Sequence, residues 1–250
     1  KVHMLYDKPD GININKDCGS THIGKLQSYV RDNKLCCGLA FDGDADRCLA
    51  VDENGNLVDG DYLIAICAKD MKDRGVLKKN AVVGTVMTNM GFQKFCEEKG
   101  LRFEATKVGD RYVLEEMQLS GYNIGGEQSG HIIFSDYATT GDGQLTGVQL
   151  MSIMKRRNET LSEMAKVMKR YPQVLINVKI SNEMKPKFYT DKAIKAEVKQ
   201  VTDILGSRGR ILVRVSGTEP LVRVMLEGED YQEISVLAEE AASVVRERLS

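Results

Sequence analysis

The sequence lacks an excess of charge, a long apolar run and an internal repeat. Its 250 residues carry a formal net charge of −1, which argues against bulk binding to nucleic acid or to an anionic membrane surface. No apolar run approaches the roughly 20 residues of a membrane span, and no signal peptide is evident. We therefore expect a cytoplasmic protein in which any anion site is a local cluster of Arg and Lys.

The six cysteines do not form a C-x-x-C pair, and some lie within apolar runs such as residues 35–39. Small secreted proteins use cysteine frameworks because they cannot build a sufficient core, but a chain of this length can. We interpret the cysteines as reduced and buried. They are Cys18, Cys36, Cys37, Cys48, Cys67 and Cys96.

Three regions differ in their pattern, and each predicts a domain or part of one. Hydrophobic residues make up 42% of the chain and charged residues 28%, as in ordinary globular proteins. Residues 1–55 mix strand-like and helical segments. Residues 56–172 alternate strands with helices, which predicts a layered α/β domain. Residues 173–250 read strand, helix, strand, strand, helix, which predicts a small α+β domain.

Local patterns predict single elements within these regions. Residues 2–6 read like a strand, and residues 35–41 are a continuous apolar run of the kind buried in a parallel sheet. Residues 160–163 carry the pattern of a capping box at the start of a helix. A final helix is predicted over residues 231–249, because its apolar residues recur at helical intervals.

The densest cluster of carboxylates follows the apolar run directly. Asp42, Asp44 and Asp46 alternate with small residues, and Arg47 comes next. Such crowding of like charge is costly without a cation. A hard divalent ion relieves it, and Mg²⁺ with open positions for a phosphate oxygen suits these ligands. The pattern predicts a magnesium site on the three aspartates.

Three other interpretations of this loop compete with the magnesium site. The simplest is a solvated acidic turn. An EF-hand would place ligands at loop positions one, three, five and twelve, which are Asp42, Asp44, Asp46 and Glu53. However, Arg47 occupies the position that needs Gly, and the flanking segments read as strands. A phosphatase of the haloacid dehalogenase type would use the first aspartate as nucleophile, but the third aspartate and the arginine fit that pattern poorly.

A glycine-rich segment at residues 125–131 predicts a second ligand loop, because glycines keep the backbone open. Glu127 and Ser129 can exchange hydrogen bonds with vicinal hydroxyls of a sugar. His131 can transfer a proton or act as a cationic partner. The alternative is a glycine-rich hairpin with a structural histidine.

Two further segments contain groups suited to a sugar phosphate. A loop between two predicted strands combines guanidiniums, hydroxyls and an open backbone, which can form a phosphate cradle. Its residues are Arg214, Ser216, Gly217, Thr218 and Arg223. A strand-to-helix junction, where a helix N-terminus can contact an anion or a hydroxyl, contributes Lys107, Gly109 and Asp110. The alternatives are a polar hairpin turn for the first segment and an ordinary surface location for the second.

Taken in this order, the four segments resemble the ligand loops of the α-D-phosphohexomutase superfamily, and the resemblance covers essentially the whole chain. Residues 42–47 resemble its metal-binding loop, residues 127–131 its sugar-binding loop and residues 214–218 its phosphate-binding loop. Residues 107–111 resemble the loop that helps to set sugar orientation. Within the superfamily, the phosphoglucosamine mutases are the most similar group, on the segments 13–22, 84–89 and 139–143.

The resemblance implies layered α/β domains followed by a small α+β domain, as parts of a four-domain fold. Residues 1–55 would belong to the second domain, residues 56–172 would be the third and residues 173–250 the fourth. The superfamily's first domain carries a Ser-His-Asn-Pro type loop with the phosphorylated serine. This sequence does not contain such a loop. We therefore expect this chain to need the N-terminal domain of the same protein, and to be inactive alone.

The implied activity is the interconversion of glucosamine 6-phosphate and glucosamine 1-phosphate through a phosphoserine and a bisphosphate, which supplies UDP-N-acetylglucosamine for cell-wall precursors. Mg²⁺ would bind the aspartates, with Arg47 as a second cation. Glu127 and Ser129 would hold the sugar. His131 and Lys107 are candidates for proton transfer or phosphate contact. The alternatives are a phosphomannomutase/phosphoglucomutase and a non-catalytic sugar-phosphate or metal-binding module. A homodimer is a further prediction.

Overall fold

The computed structural model describes every residue except Thr218 and Ser250, so the phosphate contact predicted at Thr218 lies outside the described residues. The chain forms two compact units, Lys1–Lys169 and Arg170–Ser250. Each unit has a hydrophobic core of its own. The mixed α/β class is confirmed, whereas the three domain boundaries stay a prediction.

The first unit starts with one helix and an antiparallel sheet. Its elements are α1 (Gly24–Asp32), β1 (Cys37–Phe41), β2 (Cys48–Asp52) and β3 (Leu57–Val58), and the strands pair in the order β1-β2-β3. The prediction of a parallel-sheet strand was wrong, because β1 pairs antiparallel with β2. The chain reverses within the aspartate loop, so this loop is the connection between two neighbouring strands.

Residues 2–6 do not form the predicted strand in the described chain. Val2 and Met4 are 82% and 71% exposed. A strand must satisfy its backbone groups by pairing, so apolar residues alone are not sufficient to form one.

The rest of the first unit is built on a four-stranded sheet. Its elements are α2 (Gly60–Asp73), β4 (Ala81–Thr85), α3 (Met90–Glu98), β5 (Arg102–Thr106), α4 (Asp110–Ser120), β6 (Ile124–Gly126), β7 (Ile132–Phe134), α5 (Gly143–Arg157) and α6 (Leu161–Ala165). The strand order is β5-β4-β6-β7, with β4 parallel to β5 and β6, and β7 antiparallel to β6. Apolar residues of β4, β6 and β7 are buried together with those of α2, α3 and α5.

Side-chain caps fix the starts of several helices, including α2, α5 and α6. Asp59 accepts hydrogen bonds from the backbone at the start of α2, and Asp142 does the same for α5. The capping box predicted at residues 160–163 is confirmed, because Thr160 and Glu163 each bond the backbone of the other. Such caps satisfy amide groups that a helix start leaves without partners.

The second unit has helices against one antiparallel sheet. Its elements are β8 (Gln173–Lys179), α7 (Lys185–Thr190), α8 (Lys192–Leu205), β9 (Gly209–Val215), β10 (Leu221–Gly228) and α9 (Tyr231–Leu249), and the strand order is β8-β10-β9. Val222, Val224 and Leu226 pack with α8 and α9. The last helix is confirmed, whereas α7 was not predicted. Among the described residues, no helix combines the length and apolar character needed to span a membrane.

All six cysteines are free thiols. Cys48, Cys67 and Cys96 are buried, and burial raises the pKa of each of these thiols to about 12. The prediction of burial was wrong for Cys36, which is exposed although its neighbour Cys37 is partly buried. Successive residues of a strand-like segment point to opposite sides, so a pair of adjacent cysteines cannot share one environment.

A network of ion pairs joins the C-terminal end of α5 to α2. Asp70 is 3% exposed and accepts hydrogen bonds from Arg74 (2.7 Å) and Arg156 (2.8 Å). Arg157 lies 3.5 Å from the same carboxylate. Burial alone would raise the pKa of Asp70, but the two arginine hydrogen bonds outweigh it and the pKa falls below its usual range. This network therefore stabilises the fold above the pKa of an unfolded aspartate, about 3.9.

We expect Asp70→Asn to lower the free energy of unfolding by about 2 kcal/mol, because the buried group loses charge-assisted hydrogen bonds. The loss should be measurable by urea unfolding at pH 7. It should shrink as the pH falls through the pKa of folded Asp70, where the wild-type carboxyl becomes neutral. Asp203→Asn is the matched control, because Asp203 pairs with Lys199 in solvent. Equal effects of the two substitutions would contradict the role given to Asp70.

Candidate functional site

The aspartate loop brings its three carboxylates together. One ligand atom from each of Asp42, Asp44 and Asp46 lies within 4.8 Å of the other two. The chain turns sharply here, and Ala45 has a positive φ of 57°, which is uncommon for a residue with a side chain. Strained backbone of this kind persists where the surrounding structure holds it in place.

The carboxylates suit a hard divalent cation. Asp46 Oδ1 is buried and does not accept a hydrogen bond from any described residue. Burying an acceptor without a donor is costly, and a cation beside it would remove that cost. Asp42, Asp44 and Asp46 together offer the oxygen ligands that Mg²⁺ prefers.

Arg47 lies against two of these aspartates. Its Nε is 3.6 Å from Asp42 Oδ2 and 3.8 Å from Asp46 Oδ1, at ion-pair rather than hydrogen-bond distance. Its backbone N–H donates to Asp42 Oδ1 at 3.1 Å. The side chain is 43% exposed, so the guanidinium can balance part of the loop's charge and remain accessible to an anion.

His131 contacts the same loop from the glycine-rich segment. Its side chain is 4% exposed, and Nδ1 lies 2.9 Å from Asp46 Oδ2. The other ring nitrogen, Nε2, accepts a hydrogen bond from the backbone N–H of Gly141 at 3.1 Å. His131 thereby joins the two predicted loops, although 85 residues separate it from Asp46.

Backbone contacts also join the glycine-rich segment to the aspartate loop. The Cys48 N–H donates to the Gly130 carbonyl at 3.0 Å, and Arg47 and His131 form an antiparallel bridge. Gly130 has a φ of +93°, and a Cβ there would lie 2.3 Å from the Cys48 carbonyl oxygen. Only glycine combines this conformation with so close an approach.

The start of α5 also contacts the aspartate loop. The Gly143 N–H donates to the Ala45 carbonyl at 2.9 Å. A Cβ at Gly143 would lie 2.4 Å from the Arg47 carbonyl oxygen. The helix and the aspartate loop therefore touch through their backbones, with no side chain between them.

Glu127 links the glycine-rich segment to the strand-to-helix junction. Its Oε1 accepts a hydrogen bond from the Gly109 N–H at 3.0 Å. Ser129, Lys107 and Asp110 are exposed, and Lys107 Nζ lies 5.8 Å from the centre of the Tyr112 ring. Hydrogen bonds of His131 and Glu127 thus connect three of the predicted segments. No contact among the described residues joins the side chains of the three exposed residues to the aspartate loop.

The predicted phosphate cradle lies in the second unit and is described by itself. Arg214 on β9 and Arg223 on β10 are direct cross-strand neighbours. Burial and the charge of Arg223 both lower the pKa of Arg214 below its usual range. Arg223 also donates to Glu219 at 2.6 Å. The Nε atoms of both arginines are buried and do not donate a hydrogen bond to any described residue. The two guanidiniums are therefore neighbouring positive charges, and each keeps an unused N–H donor.

Ser216, at the start of the loop between these strands, is held by hydrogen bonds. The Ser216 hydroxyl accepts a hydrogen bond from the Glu219 N–H at 3.2 Å, and Gly217 is exposed. Lys185 on α7 donates to the Ser216 carbonyl at 3.1 Å. Paired guanidiniums with unused donors are suited to a bidentate contact with phosphate.

Sequence reasoning missed several residues that shape the site. No motif of the sequence points to Gly60, yet a Cβ there would lie 2.1 Å from the Glu127 carbonyl oxygen. Lys185 was also missed, because its helix was not predicted. The sequence indicates Gly141 only as part of the segment 139–143. A single sequence carries no signal for such contacts, since they join positions far apart in the chain.

Two family models match this chain. Phosphoglucomutase/phosphomannomutase, alpha/beta/alpha domain III, matches residues 59–171. Phosphoglucomutase/phosphomannomutase, C-terminal domain, matches residues 175–244. The chain belongs to this phosphohexomutase family.

Curated members of the phosphohexomutase family are similar over the full length of this chain. Phosphoglucosamine mutases of Clostridium botulinum (strain 657 / Type Ba4) and Ruminiclostridium cellulolyticum are 54% and 55% identical to it over 249 residues. Each match covers 100% of this chain but 56% of the relative. The chain therefore spans little more than half the length of these relatives.

A solved phosphohexomutase shares the fold. It is the Aspergillus fumigatus N-acetylphosphoglucosamine mutase in complex with GlcNAc-6P and magnesium, with a TM-score of 0.78 and 22% identity. The match covers 94% of this chain and 54% of that chain. At this identity the comparison supports the fold alone.

We expect Asp44→Asn to weaken Mg²⁺ binding about tenfold or more, because affinity in such sites depends on the number of charged ligands. Isothermal titration calorimetry with MgCl₂ on the full-length protein would measure the change. Asp32→Asn is the control, because Asp32 is exposed on α1 beside Arg31. An unchanged affinity in the Asp44 variant would argue against a metal site on the aspartate loop.

Proposed function

We propose that this chain supplies the metal-, sugar- and phosphate-binding parts of a phosphoglucosamine mutase. The observation that carries the proposal is the contact between Asp46 of the aspartate loop and His131 of the glycine-rich segment, 2.9 Å apart. It connects a cluster of carboxylates to the predicted sugar loop in a chain 54% identical to a curated phosphoglucosamine mutase. The substrate would be glucosamine 6-phosphate.

The proposed reaction moves a phosphoryl group in two transfers. A phosphoserine gives its phosphoryl group to O1 of glucosamine 6-phosphate, which yields a 1,6-bisphosphate and a free serine. After the sugar reorients, the 6-phosphoryl group passes to the serine and leaves glucosamine 1-phosphate. This sequence contains no Ser-His-Asn-Pro type loop, so we assign the serine to the N-terminal domain of the same protein.

The metal site would lie where charge develops during transfer. Asp42, Asp44 and Asp46 would hold Mg²⁺, and the bound ion would neutralise charge on the phosphoryl oxygens. Arg47 remains 43% exposed beside these ligands, and would contact the same phosphoryl group as a second cation.

The other loops would bind the parts of the substrate that do not react. Glu127 presents a carboxylate fixed through Gly109, and Ser129 presents an exposed hydroxyl, so both are suited to sugar hydroxyls. Arg214 and Arg223 would bind the second phosphate. An anion between them offsets their mutual repulsion and uses their free Nε donors. Lys107 as a further phosphate contact stays a prediction, as do the cytoplasmic location and a homodimer.

The decisive experiment is a mutase assay on the full-length protein with the 6-phosphates of glucosamine, mannose and glucose. We expect kcat/KM to be highest for glucosamine 6-phosphate, by about tenfold or more, because a site that hydrogen-bonds a substrate amine discriminates against its absence. Preference for mannose or glucose 6-phosphate would instead favour a phosphomannomutase/phosphoglucomutase. Turnover by the 250-residue chain alone would refute the assignment of the serine to another domain.

We expect Arg214→Lys to raise KM for glucosamine 6-phosphate about tenfold, because lysine keeps the charge but loses the planar pair of donors. Steady-state kinetics on the full-length protein would measure this. Arg208→Lys is the matched control, because Arg208 pairs with Glu233 in solvent on the same unit. An unchanged KM in the Arg214 variant would remove the phosphate cradle from the proposal.

A further inference from the structure

Lys185 lies beside the loop that joins β9 to β10, although it belongs to neither strand. β8 pairs antiparallel with β10, and Lys179 at the end of β8 is opposite Leu221 at the start of β10. The Ile180 N–H donates to the Pro220 carbonyl at 3.0 Å, so this pairing continues into the loop. α7 begins a few residues further along the chain, and its first residue, Lys185, therefore reaches the loop.

Three hydrogen bonds hold Ser216, which is 3% exposed. Its N–H donates to the Leu221 carbonyl at 2.9 Å, and its hydroxyl accepts the Glu219 N–H at 3.2 Å. Both of these partners belong to the hairpin of β9 and β10. The Ser216 carbonyl is bonded from outside the hairpin, by the Lys185 ammonium at 3.1 Å. A buried carbonyl needs a donor, and a charged donor makes the stronger hydrogen bond.

The contact from Lys185 fixes the orientation of the Ser216–Gly217 peptide. This peptide is trans, so the Gly217 N–H points away from the carbonyl that the ammonium holds. The Gly217 N–H does not donate to any described residue, and a Cβ at Gly217 would meet no atom within 4 Å. The amide is therefore a donor that an anion can approach through open space.

We propose that Lys185 is a positioning residue of the phosphate cradle, which holds the Ser216–Gly217 peptide so that the Gly217 N–H binds a phosphate oxygen. Oriented main-chain amides and guanidiniums are both suited to anions, and Arg214 and Arg223 supply the guanidiniums on β9 and β10. The ligand class is a phosphate monoester, because no part of this contact depends on the sugar. The inference rests on the phosphate cradle of the proposed function.

α7 is anchored by side chains other than Lys185. Met184, directly before the helix, and Phe188 within it pack against the core of the second unit. Lys187 on the same helix is exposed and donates to the Arg248 carbonyl at 2.8 Å. The helix thus carries two lysines that each bond a main-chain carbonyl, and only the carbonyl bonded by Lys185 belongs to the cradle.

Lys185→Met removes the ammonium but keeps a side chain of similar length. We expect KM for glucosamine 6-phosphate to rise about tenfold with kcat within about twofold of wild type, because a contact to the phosphate that does not react contributes equally to the ground state and the transition state. Lys185→Arg keeps a charged donor and should stay within about threefold of wild type. Steady-state kinetics on the full-length protein would measure both variants.

Lys187→Met is the matched control, because it removes a hydrogen bond between a lysine and a carbonyl from the same helix. We expect this substitution to leave KM unchanged. Thermal unfolding shows whether each variant is folded. A rise in KM of equal size in the two folded methionine variants, or in neither, would overturn the positioning role.

A second readout uses inorganic phosphate and needs no turnover. In full-length protein labelled with ¹³C at serine carbonyls and ¹⁵N in glycine, an HNCO spectrum shows only Ser–Gly amides. Those of this chain are Ser120–Gly121, Ser129–Gly130 and Ser216–Gly217. Gly217→Ala identifies the third signal by its loss. We expect phosphate to shift the Gly217 signal in wild type and Lys187→Met, and Lys185→Met to need about tenfold more phosphate.

These outcomes are distinguishable from a failure of the proposed function. If the protein turns over none of the three sugar phosphates but Lys185→Met alone weakens the Gly217 titration, the mutase assignment fails and the positioning role stands. If glucosamine 6-phosphate is turned over but the two methionine variants titrate alike, the assignment stands and the positioning role fails. An unchanged Gly217 signal in the wild type would overturn the positioning role even if no variant folds.

Discussion

Repulsion among three neighbouring carboxylates is the constraint around which the first unit is organised. Asp42, Asp44 and Asp46 are held close by a reversed chain with a strained residue between them. Arg47 supplies the nearest positive charge, and His131 donates a hydrogen bond from another part of the chain. The loop keeps its shape because strands, a helix start and a second loop all contact it.

Close backbone contact makes this organisation possible. Gly130 and Gly143 each lie where a Cβ would meet a carbonyl oxygen at 2.4 Å or less. The carbonyls belong to Cys48 and Arg47, at the end of the aspartate loop. At the far end of α5, Arg156 bonds the buried Asp70 of α2. The helix is therefore anchored at one end by backbone contacts and at the other by charge.

Much of the fold could be predicted from periodicity, but the site only in part. The last helix and the capping box at Thr160 follow from local pattern, and so does the crowding of aspartates. The antiparallel direction of β1 could not be predicted, because an apolar run does not reveal which strand will pair with it. The hydrogen bond between His131 and Asp46 joins residues 85 positions apart. The exposure of Cys36 depends on which side of its segment packs against the rest of the protein. These features follow from tertiary contacts that no local pattern encodes.

The joining of the two loops through main-chain atoms has a consequence for how related enzymes can diverge. Side chains can be exchanged without disturbing the packing only where they face solvent, and in this region those positions include Lys107 and Ser129. Substitutions at such exposed positions need not move the aspartates, because the hydrogen bond from the Cys48 N–H to the Gly130 carbonyl joins main-chain atoms and requires glycine only at position 130. The fold thereby separates exposed positions that can vary from the backbone contacts that hold the aspartate loop in place.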